Sequence, residues 1–182
     1  MHLTSDILNA QLQGDFSFSE LGSSMLEIAS KIIPSLDPPI RAHTDQAFSI
    51  EVRVNDFNQI SGVFIPGLSI APGTFMKMEI DESISQLDFL LASDSITFQE
   101  ESIYGLALSA NQPDESFYIT ASADDLDLSA FDLSQVSIDT RTLDDTIFTS
   151  FAWQNPKEKH YGDIAGKLIV ENYQDMQFEF FP

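Results

Sequence analysis

FSIEVRVNDFNQISGVFIPGLSIAPGTFMKMEID, residues 48–81, decides the fold of this chain. Phe48, Ile50, Val52 and Val54 alternate with Ser49, Glu51 and Arg53, the two-residue rhythm of a strand with one apolar and one wet face. Asn55 and Asp56, good helix-capping types, precede Phe57, Ile60, Val63 and Phe64 at helical spacing, which predicts a short helical turn. Pro66-Gly67 stops it, Leu68 and Ile70 alternate briefly, and Pro72-Gly73 punctuates again. Met76, Met78 and Ile80 then resume the rhythm against Lys77, Glu79 and Asp81. Strand, cap, strand is the unit that the remaining residues repeat.

Upstream, Leu8 to Phe18 alternates in the same way and predicts a first strand of about ten residues. Leu21, Met25, Leu26, Ile28, Ala29, Ile32 and Ile33 recur at steps of three and four until Pro34, predicting one α-helix over about 20–33 that covers an end or open face of the sheet. Downstream come short runs bounded by Asp, Ser, Asn, Glu, Gly or Pro: Leu87, Phe89 and Leu91; Ile96 and Phe98; Tyr104, Leu106 and Leu108; Phe117, Ile119 and Ala121. From Leu126 to Ile138 the rhythm breaks at Ser129-Ala130 and again at Ser134-Gln135, where a turn or helical cap is expected. The last third supplies Ile147, Phe151 and Trp153, then Ile164, Leu168 and Val170, then Met176, Phe178 and Phe180. Connections this short predict an antiparallel meander. The amphipathic FEFFP with which the sequence closes suggests one β-rich segment, 1–182, cut from something longer.

With 182 residues and 43% hydrophobic content, the chain is long enough for a single ordered domain with a sizeable core. Twenty-nine acidic residues face eight basic ones, a net charge of -21, which excludes nucleic acid and electrostatic adsorption to an anionic membrane. Any lipid contact must be apolar. Cysteine is absent, so there are no disulfides, thiolate metal sites or thiol nucleophiles. No apolar run approaches the roughly 18 residues of a membrane span, and no signal-peptide layout opens the sequence.

Catalytic grammar is missing. Gly67-Leu68-Ser69-Ile70-Ala71 is no nucleophile elbow, and Gly162–Leu168 has the wrong glycine spacing, and a leucine, where a phosphate loop needs Ser or Thr. His2, His43 and His160 stand singly in polar surroundings. Asp124, Asp125, Asp127 and Asp144-Asp145 follow no calcium-loop spacing and read as the wet faces of strands. The expectation is therefore no enzyme, no metal and no cofactor. Phe is abundant, at 15 residues against one Trp and four Tyr, so the apolar face is purely greasy: a sealed sandwich core, or the lining of an open lipid path.

Residues 8–36, LNAQLQGDFSFSELGSSMLEIASKIIPSL, the stretch 48–81, ITFQEESIYGLALS at 96–109 and SFAWQNPKEKHYGDIAGKL at 150–168 resemble the periplasmic part of the TamB family, the translocation and assembly module subunits of the AsmA-like group, in their Bacteroidota flavour. The resemblance covers most of the chain and rests on repeat texture. It implies a mainly β protein, a curled antiparallel sheet forming an open hydrophobic groove, in the periplasmic body of a long inner-membrane-anchored protein. Such proteins are thought to carry phospholipid to the outer membrane, with an outer-membrane partner of the Omp85 type (TamA-like). The anchor and the partner-binding domain have no counterpart in these residues. Phospholipid acyl chains and neighbouring segments of the same chain are then the expected partners. The expected groove lining is Phe48, Ile50, Val52, Val54, Met76, Met78, Ile80, Leu87, Phe89, Leu106, Leu108 and Phe151. The alternative is a closed acidic β-sandwich serving as a binding or structural module of an envelope or secreted protein.

Overall fold

The computed structural model describes residues 1–17, 19, 30, 33, 35, 46–84, 86–112, 116–155, 160–172 and 175–181. These form one antiparallel sheet of 12 strands: β1 (His2–Thr4), β2 (Leu8–Asp15), β3 (Ala47–Val54), β4 (Leu68–Ile70), β5 (Phe75–Asp81), β6 (Gln86–Phe98), β7 (Glu101–Asn111), β8 (Tyr118–Leu128), β9 (Phe131–Leu143), β10 (Thr146–Asn155), β11 (His160–Asn172) and β12 (Asp175–Phe181). Each pairs with its neighbour in sequence, except that β4 and β5 both pair with β6 as two halves of one lane. Pro72-Gly73 makes that break, because proline cannot donate to a ladder and Gly73 sits at φ +86°. β1 and β12 end the order without meeting, so the sheet is open, and no second sheet lies on it among the described residues. The sandwich geometry is not this one.

Helix α1 (Asn58–Phe64) is the predicted helical turn. Its capping position is held by Phe57, with no side-chain cap, while the Asp56 carboxylate accepts from the Asn58 N–H at 3.2 Å. The helix expected over 20–33 lies outside the described residues except at Ser30 and Ile33. β2 ends at Asp15, short of the predicted Phe18, where Gly14 adopts φ +108° and the Ser17 N–H turns to the Gln46 side chain at 2.8 Å. β1, a strand of three residues without alternation, was not legible as one.

The sheet curls. Ile33 packs on the cluster of Leu12, Phe48 and Ile80 from β2, β3 and β5, while the N–H of Ser35 donates to Asp145 Oδ1, at the β9–β10 turn, over 2.7 Å. Two residues span at most about 7 Å. In a flat sheet, the five strand steps from β5 to β10 would cover about 24 Å. Phe117, just before β8, also reaches the cluster. The face bearing Leu12, Phe48 and Ile80 is therefore the concave one. Openness shows in the areas too: the chain exposes 11355 Å², against roughly 8800 Å² for a compact protein of its 20.3 kDa mass. Only seven described hydrophobic residues are fully buried, so most of the apolar face stays half-exposed.

Candidate functional site

Register carries side-chain parity from strand to strand, and it places all 12 residues expected in the groove on this concave face. Phe48, Ile80 and Leu87 form one rung, at the end covered by Ile33. Ile50, Met78 and Phe89 form the next and lead across Ala110 to Ile119. Val52 and Met76 continue through Leu91, Leu108, Ala121, Ile138 and Phe151 to Ile164. Val54, Ser93, Leu106, Ala123 and Val136 occupy the fourth, where Thr74 and Ser93 join hydroxyls at 2.6 Å. Phe48, Val54 and Ile80 are buried and the other nine are half-buried. No charged strand residue faces inward on these four rungs among the described residues.

Sequence reasoning missed how the trough ends. Between the pairs Ser93↔Leu106 and Ser95↔Tyr104 lies a row containing Asp94, Gly105, Asp124 and Gln135, with Gly105 at φ +60° and Gln135 at φ +49°. Beyond this row the apolar residues change faces. Ile70, Ile96, Ile103, Leu126 and Leu133 now point outward, followed by Leu68, Phe98, Leu128 and Phe131. The concave side turns polar instead, with Tyr104, Asp125 and Ser134 on one rung and Ser102, Asp127 and Asp132 on the next. The break at Ser134-Gln135 is thus a kink inside β9, whereas the one at Ser129-Ala130 is the β8–β9 turn. The buried Asn155 side chain bridges the kink, accepting from the Ser134 N–H at 2.6 Å and donating to the Asp132 carbonyl at 2.7 Å. Phe98 and Phe131 on the outward stripe are 47% and 55% exposed. Phe131→Ser should therefore cost under about 1 kcal/mol in chemical denaturation, as surface changes do.

Trp153, also missed, lies on the concave face, opposite Gly162 and 5.3 Å from the Phe151 ring. A Cβ at Gly162 would run into the indole, so glycine there is what lets the ring lie against the trough floor. Phe178 lies against Gly166 in the same way. Every described Lys and Arg side chain is instead on the convex face and engaged: Arg53 over the Phe75 ring at 5.3 Å, Arg141 over Phe148 at 5.6 Å, Lys77 with Glu79 at 2.8 Å and Lys167 with Glu179 at 3.0 Å. A hydrogen bond from Lys77 to Glu79, with the attraction between their charges, holds the lysine ammonium above its usual pKa. No group of three or more His, Asp or Glu side chains fit to hold a metal occurs among the described residues. No described helix is long and apolar enough to cross a membrane, which says nothing of strands.

No protein-family model, curated protein or solved structure matches this chain. What the arrangement can do follows from its chemistry alone. Among the described residues it offers a greasy, uncharged, half-open trough, covered by Ile33 at one end and polar at the other, with no convergent nucleophile, acid or base along its apolar rungs.

Proposed function

We propose that this chain is a segment of a lipid conduit of the TamB kind, sheltering phospholipid acyl chains in the periplasm on their way between inner and outer membranes and so serving outer-membrane assembly and integrity. One observation carries the reading: successive apolar rungs on a concave face left half-exposed along its length. Each methylene sheltered there is worth about 0.8 kcal/mol. Because hydrophobic contact is non-directional, equivalent rungs hold a tail at nearly level free energy, and it slides without a specific site. Neighbouring segments of a longer chain, and an Omp85-type (TamA-like) protein engaged through other parts of it, are the partners this reading supplies. A narrower version has its own support. Ile33 on the Leu12–Phe48–Ile80 cluster covers one end, which suits a cup that holds a lipid more than a pipe that passes it on.

Trp153 is the only tryptophan, so it reports on the trough without labelling. Phospholipid brominated along its acyl chains should quench its fluorescence, and organic extraction of the purified protein should release phospholipid visible by mass spectrometry. Unchanged fluorescence together with a clean extract would sink the lipid reading.

A further inference from the structure

We infer that the trough takes amphiphiles whose headgroup bears an ammonium and disfavours those whose head is only anionic. This rests on the lipid-sheltering reading and adds a headgroup preference to it. A tail lying along the apolar rungs leaves its head at the polar end, since the other end is occupied by Ile33. There the face reversal turns Asp125, Asp127 and Asp132 inward, in a recess of about 660 Å³ that Tyr104, Ser134 and Asn155 also line and that Asp124, Leu126, Leu133 and Gln135 border. These three carboxylates are the only charged strand residues on the concave face among the described ones.

The positive charge that would welcome an anion is elsewhere. Arg53, Lys77, Arg141 and Lys167 are spent on convex-face partners. The other four basic residues lie outside the described residues. The whole chain, at -21, adds to the same field. Apolar contact thus sets how tightly the tail is held, and charge complementarity sets which head is tolerated.

Lysophosphatidylethanolamine and lysophosphatidylglycerol of one acyl chain isolate the ammonium, because both carry the phosphate and only the first carries the amine. Titrated below their micelle concentrations against Trp153 fluorescence, the ethanolamine lipid should bind about tenfold tighter at low salt, an advantage that shrinks as salt screens the carboxylates. D125N/D127N/D132N should erase the preference while keeping the fold by circular dichroism. E51Q/D139N/D163N, which removes the same charge from the convex face, should keep it. Equal binding of the two lipids, tighter binding of the glycerol lipid, or a preference that survives in the first variant overturns the inference and leaves the trough a lipid site. If neither lipid perturbs Trp153, this inference falls, and a clean organic extract beside that result takes the lipid-sheltering reading down with it.

Discussion

Gly14→Ala should unfold much of this protein, at a cost of about 4 kcal/mol. Two effects combine at that position. Gly14 sits at φ +108°, where an L side chain is strained, and it lies opposite Phe48 in the β2–β3 ladder. A Cβ there would overlap the carbonyl oxygen of Ala47 and come within 2.7 Å of the Phe48 Cα, both backbone atoms that cannot swing aside. The strands it would push apart carry Leu12 and Phe48, two members of the principal buried cluster. Gly73→Ala separates the two effects, since Gly73 has a similar φ of +86° but nothing within 4 Å of the added methyl. It should cost about 1–2 kcal/mol from strain alone. Urea denaturation of both variants checks the pair, and equal losses would show that the clash at Gly14 is relieved by backbone movement.

The parity of single strands was legible because it is local. Ile50 and Met78 each announce their face through polar neighbours on both sides, so the residues sharing one face could be named before any pairing was known. The meander was legible for a related reason, as connections so short leave few other topologies. What one strand could not reveal is the transverse kink. In β8, apolar positions run Ile119, Ala121, Ala123 and then Leu126, Leu128; in β9 they run Phe131, Leu133 and then Val136, Ile138. Each shift alone reads as a bulge, a turn or noise. Only when the ladders are aligned do the shifts in β6, β7, β8 and β9 fall on one row, turning four local irregularities into the end of a trough. The covering of the Phe48 end was hidden for a different reason. It depends on Ile33 meeting residues from β2, β3 and β5, a contact fixed by curl, which no two-residue pattern encodes.

That distinction between a covered end and an open middle leads to opposite results for one substitution made at two places on the same face. Ile80 is 3% exposed within the Leu12–Phe48 cluster. Ile80→Asp would bury a carboxylate with no cation among its described neighbours, and should remove about 4 kcal/mol or more of a total that is typically 5–15. Leu106 lies one rung inside the reversal, half-buried, with Ser93 and Ala123 beside it. An aspartate there keeps contact with water across the open side, so Leu106→Asp should fold with a loss of about 1–2 kcal/mol, mostly of packing. Lipid would suffer instead. A tail crossing that rung must press methylenes against a charge whose hydration it strips, and uptake measured by Trp153 quenching should fall at least about tenfold, equivalent to about 1.4 kcal/mol. Leu106→Met, which preserves an apolar surface, should retain both fold and uptake. If Leu106→Asp unfolds the chain as Ile80→Asp does, the middle of the concave face is a sealed core and no acyl chain lies there; if it folds and still takes up lipid, the path runs elsewhere.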